Sequence, residues 1–311
     1  MRILIFMLVL FTSGALAPRP ALADCDIGGR AVPCAIKDGH YRIRTPEGPG
    51  PHPAVVYLYG SLGNSAEKLR HEGFVQAFVE RGYAVVVPAA LDLRYANGLG
   101  SGWFLRHEKG RKRRDDAKFV ADVIRDAEIR HRIDRKRILI AGMSRGGFLA
   151  WEIACHNPLL AQAYAPVAAG YLGPMPKRCA RPVRLLHTHG TADAVVPLEK
   201  THRWSSGGAV MRPLREALDR VARTGGCTSA GRPERFREYE RTRWQGCPHG
   251  ASVDLLMHQG GHTIPLSWYS TVIDWFEGGL DQAPQASQGG ARPRFKGVGS
   301  GTGNRFKRVG E

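Results

Sequence analysis

Ile138-Leu139-Ile140-Ala141-Gly142-Met143-Ser144-Arg145-Gly146-Gly147-Phe148-Leu149-Ala150-Trp151 is the stretch around which the chain is organised. Its three leading aliphatic residues read as a fully buried strand, and its last four as the opening of a helix. Between them, Gly142-Met143-Ser144-Arg145-Gly146 is a G-x-S-x-G pattern, which predicts a strained strand-to-helix elbow with serine at the tip. Glycine is needed at both outer positions because the helix doubles back so tightly that a Cβ there would clash. The elbow would aim the backbone N–H of Arg145 at the reacting centre, where the positive helix end favours a developing oxyanion.

Outward from the elbow, strands and helices alternate. Upstream, apolar runs at 54–58 and 83–87 suit central strands, and 41–44 suits another. Asn64 can cap a helix with Glu67 three residues on, its apolar face formed by Leu69, Phe74, Val75 and Phe78. A polar, glycine-rich loop over 92–109 carries Tyr95 and Trp103, and loops of that length are often functional. The segment 114–131 places Phe119, Val120, Val123, Ile124 and Ala127 on one helical face. Downstream, strands are expected at 164–167, 183–187 and 253–257, and helices at 213–221 and 268–276. This βαβα order predicts an α/β fold with a mostly parallel sheet and helices on both faces.

In such a sheet, functional residues gather at the carboxyl ends of strands. His187-Thr188-His189-Gly190-Thr191-Ala192-Asp193 follows one strand, and His258-Gln259-Gly260-Gly261-His262 follows another. Ser144, Asp193 and His262 thus occur in the chain order of α/β-hydrolase triads. His262 would take the serine proton and return it to the leaving group, while Asp193 fixes its tautomer and steadies the imidazolium. Asp193 could instead be a helix N-cap, since Pro197 and Leu198 follow. His187 and His189 form an H-x-H pair that could hold a metal or brace the acid loop. No further ligand cluster accompanies them, so neither metal nor cofactor is expected. His258 and His262 are four apart, but Gly260 and Gly261 exclude the helix of a zinc-protease motif.

On these residues the chain resembles α/β-hydrolase esterases of the polyhydroxybutyrate depolymerase and feruloyl-esterase-like group. The likeness is carried by 140–147, by the HTHGTADAVVP run over 187–197, and by Trp244-Gln245-Gly246-Cys247 leading to Gly260-Gly261-His262-Thr263. It covers roughly 41–275. The resemblance implies Ser144 as nucleophile, Asp193 as acid, His262 as base, and the backbone N–H groups of Arg145 and Ser61 as oxyanion donors. Where the family usually has His-Gly, this chain has Tyr59-Gly60, and it lacks the tryptophan often found before Pro265. Little or no lid is expected, and Tyr59, Tyr95 and Trp103 are the aromatic candidates for packing against substrate. The implied substrates are short hydroxyacyl or hydroxycinnamoyl esters, free or polymeric. A peptidase or thioesterase on the same triad stays open, since the triad fixes acyl transfer and not the leaving group. So does a non-catalytic, cationic binding protein with a vestigial site.

The rest of the chain bears on location. Met1-Arg2 and the apolar run over 3–11 are too short to span a bilayer, and Ala21-Leu22-Ala23 supplies a cleavage pattern. A signal peptide over 1–23, a catalytic domain over 24–280 and a disordered basic tail over 281–311 are therefore expected, with export to the periplasm or beyond. An even count of six cysteines in an oxidising compartment favours disulfides. Local spacing pairs Cys25 with Cys34, Cys155 with Cys179 and Cys227 with Cys247. A net charge of +17 attracts anionic surfaces, the tail most directly, but no nucleic-acid motif accompanies it and no transmembrane segment is evident.

Overall fold

The computed structural model describes Cys25 and residues 32–95, 98–108, 114–199, 201–203, 210–248, 250–278 and 280. The expected signal peptide over 1–23 and the tail over 281–311 lie outside the described residues.

In chain order the strands are β1 (Cys34–Ile36), β2 (Gly39–Arg44), β3 (His52–Leu58), β4 (Ala84–Pro88), β5 (Leu91–Tyr95), β6 (Gly98–Gly102) and β7 (Ile133–Met143). They continue as β8 (Ala163–Val167), β9 (Arg184–Gly190), β10 (His202–Arg203), β11 (Val210–Met211), β12 (Glu234–Phe236), β13 (Tyr239–Arg243) and β14 (Ser252–His258). Ten of them form one sheet in the order β1-β2-β4-β3-β7-β8-β9-β14-β13-β12. From β4 to β14 every neighbouring pair is parallel, and both flanks are antiparallel. The parallel strands are those with continuous apolar runs, such as Ala54 to Leu58 and Ile138 to Ala141, because helices cover both their faces.

The helices are α1 (Ser65–Arg70), α2 (Glu72–Val79), α3 (Asp116–His131), α4 (Arg145–His156), α5 (Leu214–Thr224) and α6 (Trp268–Phe276). Asn64 caps α1 as its sequence predicts, its Oδ1 accepting from Glu67 N at 2.8 Å. The single helix expected there is in fact two. His71 leaves the helical region and its Nδ1 accepts from Phe74 N at 3.2 Å, so one side chain ends α1 and caps α2. Asp115 caps α3 in the same way through Lys118 N.

Two further differences shape the site. The expected loop over 92–109 opens with an antiparallel β5–β6 hairpin, its register running from Leu91–Gly102 to Tyr95–Gly98. The segment before β14 adds β12 and β13 to the sheet edge, where Arg241 on β13 holds the buried Asp254 on β14 through Nε at 2.8 Å and Nη2 at 2.7 Å. All three cysteine pairs are bonded: Cys25–Cys34, Cys155–Cys179 and Cys227–Cys247. Among the described residues, no helix is long and apolar enough to cross a membrane.

Candidate active site

Strand β7 delivers Ser144 to the carboxyl edge of the sheet in a conformation few residues adopt. Its φ of 52° and ψ of −121° place it outside the regions open to ordinary L-residues, a cost of order 1–3 kcal/mol that only a rigid surrounding can hold. That surrounding is visible. Ser144 N donates to Val167 O at 3.0 Å, and Phe148 N donates back to Ser144 O at 2.9 Å. A Cβ on Gly146 would fall inside Leu58 O, and one on Gly142 would lie 2.6 Å from Gly146 O. Helix α4 therefore presses its first turn onto the end of β3, the close approach its glycines predict.

The end of β3 supplies the opposite wall. A Cβ on Gly60 would sit 3.3 Å from the Ser144 Cβ, so the Tyr59-Gly60-Ser61 turn lies directly against the serine. The loop expected to carry substrate contacts clamps this turn instead. Trp103 Nε1 donates to Tyr59 O at 2.8 Å, Leu62 N donates to Ser101 O at 3.1 Å, and the Ser101 hydroxyl donates to Gly63 O. Tyr59 Oη in turn accepts from Ala90 N at 2.7 Å. Arg145 joins the clamp, its Nε donating to Trp103 O at 2.8 Å and its Nη2 meeting Glu108 Oε1 at 2.5 Å.

These contacts correct one sequence expectation. Trp103 is 0% exposed and Tyr59 only 5%, their rings packed together at 5.5 Å, so neither presents a face for stacking. Their polar atoms are used to hold backbone, which accounts for the burial of both. Tyr95 closes β5, and its side chain lies outside the described residues. Ser101 and Glu108 also belong to this clamp, and nothing in their local sequence pattern marks them.

Asp193 and His262 are brought together. His262 Nδ1 donates to Asp193 Oδ2 at 2.8 Å, while Asp193 Oδ1 accepts from Val195 N at 2.9 Å and Val196 N at 2.8 Å. Among the described residues no helix follows Asp193 directly, so it is not a helix N-cap; one oxygen instead holds a turn and the other faces histidine. Burial alone would raise the Asp193 pKa, but the Val196 amide, the His262 imidazole and the Val195 amide outweigh it and hold it below the usual value. The carboxylate is ionised at neutral pH, as a partner for an imidazolium must be.

The loops carrying these two residues are fastened to each other. Thr191 N donates to His258 O at 2.8 Å and Ala192 N to Gly260 O at 3.1 Å. His258 Nδ1 accepts from Gly260 N at 3.0 Å, which shapes the turn to His262. His187 and His189 do not offer a metal pair. Their nitrogens are engaged with Trp151, with one another and with Val196 O.

Comparison with known proteins agrees with this architecture. A model of the dienelactone hydrolase family matches residues 40–206, more than half of the chain. Feruloyl esterase D of Neurospora crassa is 25% identical over 289 residues, covering 84% of this chain and 89% of that protein. The NocK protein of Nocardia uniformis subsp. tsuyamanensis is 26% identical over 302 residues, covering 84% and 86%. Among solved structures, the acetyl xylan esterase of Aspergillus awamori superposes with a TM-score of 0.54 at 15% identity, covering 77% of this chain and 94% of that one. The Bacillus cereus carboxylesterase gives 0.51 at 14% identity, covering 78% and 95%. At such identities the structural likeness concerns the α/β-hydrolase fold alone.

Proposed function

The chain belongs to the dienelactone hydrolase family, and from that premise we propose that it hydrolyses carboxylic esters through an acyl-enzyme on Ser144. The observation that carries this reading is the strained Ser144 elbow on the same sheet edge as the 2.8 Å Asp193–His262 pair. In the proposed cycle, His262 Nε2 removes the serine proton as Oγ attacks the ester carbonyl. Asp193 stabilises the resulting imidazolium without itself being protonated. The carbonyl oxygen becomes an oxyanion held by the backbone N–H groups of Arg145 and Ser61. His262 then protonates the departing alcohol, and a water molecule, deprotonated by the same imidazole, releases the acid. Apart from the ester and the hydrolytic water, each step draws on side chains and backbone of this chain.

For substrate, we infer short hydroxyacyl or hydroxycinnamoyl esters, free or as ends of a polymer. The relative named feruloyl esterase D supports the aromatic acid. The rim supports an apolar acyl group. Among the described residues, Leu62, Val195 and Leu266 are exposed large aliphatics on the three loops that carry the oxyanion turn, the acid and the base. Isolated exposed aliphatics are unremarkable, but three at one edge favour an apolar ligand. The three disulfides fit an oxidising compartment. With them, a signal peptide over 1–23, a catalytic domain over 24–280 and a basic tail over 281–311 able to tether the enzyme to anionic surfaces complete the proposal. A panel of methyl hydroxycinnamates, hydroxybutyrate oligomers and aryl esters graded by chain length tests it. Higher kcat/KM on the first two supports the assignment, and a preference for long-chain esters overturns it.

A further inference from the structure

Beneath the acid loop lies a row of buried polar rings that the proposed mechanism does not use. Trp151 Nε1, on the nucleophile helix α4, is 3.1 Å from His187 Nδ1. His187 Nε2 is 3.0 Å from His189 Nδ1, and His189 Nε2 is 2.9 Å from Val196 O and 3.2 Å from Asp193 Oδ2. All three rings are fully buried. An indole N–H can only donate, so His187 Nδ1 must accept and carries no proton in the neutral ring. Its proton is then on Nε2, where the facing atom is His189 Nδ1, which must also accept. The His189 proton is therefore on Nε2, facing a carbonyl and a carboxylate, neither of which can donate. One arrangement of protons satisfies the whole row, and a second proton on either ring would set two hydrogens against each other. Burial, the largest influence, pushes both histidine pKa values down and favours these neutral rings.

We propose that Trp151, His187 and His189 form a one-way hydrogen-bond relay from the nucleophile helix to the acid loop, with His189 the residue that positions Asp193. This rests on the reading of Ser144, Asp193 and His262 as a triad. His189 holds Val196 O, while Val196 N holds Asp193 Oδ1, so the acid turn is fixed at two points. The positive end of the same His189 N–H faces Oδ2, the oxygen that receives His262. Two independent histidine ring placements, one per strand face position, would be costly to keep buried unless fully bonded. The relay bonds them and directs their last proton to Val196 O, with Asp193 Oδ2 3.2 Å from the same nitrogen.

Removing that proton gives a signed expectation. With one fewer positive dipole facing it, the carboxylate attracts the doubly protonated His262 ring more strongly, so the base is freed only at higher pH. The other groups facing this region are His258 on β14, which also faces Asp193, and Glu238 between β12 and β13, which faces His258. They stay unchanged in the variants below.

The test compares wild type with His189→Asn and His189→Gln. Asparagine keeps an acceptor near Nδ1 for His187 but lacks the donor at the Nε2 position, which glutamine restores. His189→Asn should lose roughly ten- to a hundredfold in kcat with little change in KM, and the acidic limb of kcat/KM should move to higher pH. His189→Gln should recover most of kcat and the wild-type profile, with matched melting temperatures as the fold control. A folded His189→Asn with wild-type kcat and profile, or a folded His189→Gln as impaired as asparagine, overturns the relay. If neither variant folds, long-range nitrogen–proton correlation spectra of the wild type decide: both rings must be Nε2–H tautomers, and an Nδ1–H tautomer on either overturns it. A wild type unreactive toward a fluorophosphonate would instead refute the triad reading, a result these spectra do not depend on.

Discussion

The indole N–H of Trp103 donates to the carbonyl of Tyr59 at 2.8 Å, with the ring wholly excluded from solvent. That bond ties the hairpin segment to the turn that faces Ser144. Trp103→Phe should leave the Tyr59 carbonyl buried and unpaired, at a cost of about 1–3 kcal/mol in stability. It should reduce kcat/KM equally for hydroxycinnamoyl and acetate esters, because the turn, not a substrate ring, is disturbed. A loss confined to aromatic esters, measured by steady-state kinetics on both, would return Trp103 to the binding surface.

Glu152 sits on the buried face of α4, its Oε2 accepting from Arg106 N at 2.8 Å. Burial, opposed by the Arg106 amide, raises its pKa from 4.5 to about 7. A raised folded-state pKa means that the native protein binds the proton more tightly than the unfolded chain. Its contribution is therefore complete below about pH 4.5 and disappears as pH rises to about 7, a difference of order 3 kcal/mol. Glu152→Gln keeps an acceptor and cannot ionise. Denaturant melts should show the variant more stable than wild type at pH 8.5 and the advantage gone near pH 4.5; equal stability at both would refute the assignment.

Much of this fold is legible in the sequence because period and punctuation agree there. Continuous aliphatic runs marked β3, β4 and β7, and Asn64 with Glu67 marked a helix start. The elbow was legible from two glycines and a serine, since close approach leaves no other residue type. β12 and β13 were not, because Tyr239-Glu240-Arg241-Thr242-Arg243 reads as polar until Arg241 is seen paired with the buried Asp254. The break at His71 depends on a side chain turning back to cap the next helix, which no local apolar pattern reports. Trp103 illustrates a general ambiguity: an aromatic ring in a polar loop can face solvent or backbone, and only the tertiary position of Tyr59 decides.

Gly190 ends β9 with no room for a side chain, since a Cβ there would collide with the carbonyls of Gly260 and Gly261. Gly190→Ala should therefore displace the backbone leading to His262. The expected result is a kcat loss of a hundredfold or more, on the order seen when catalytic groups are misplaced by an ångström, in a protein that still binds substrate. Unchanged kcat would show that the two loops move independently.

The Cys227–Cys247 bond spans 20 residues and ties the end of α5 to the turn after β13. Trp244 lies beside it, its Nε1 bonded to Asp219 at 2.8 Å. Replacing both cysteines with alanine should cost roughly 3 kcal/mol through the entropy of the unfolded chain, read as a lower melting temperature. An unchanged melting temperature would show that Trp244 and the sheet edge hold this segment without the bond.

The central claim is that Ser144 is an activated nucleophile, and covalent labelling tests it most directly. A fluorophosphonate should add one phosphonyl group to the wild-type protein, on the peptide containing Ser144, with complete loss of ester hydrolysis. Ser144→Ala should take up no label, and His262→Ala should label far more slowly at the same site. Label found on another residue, or a Ser144→Ala protein that still hydrolyses esters at the wild-type rate, would contradict the account.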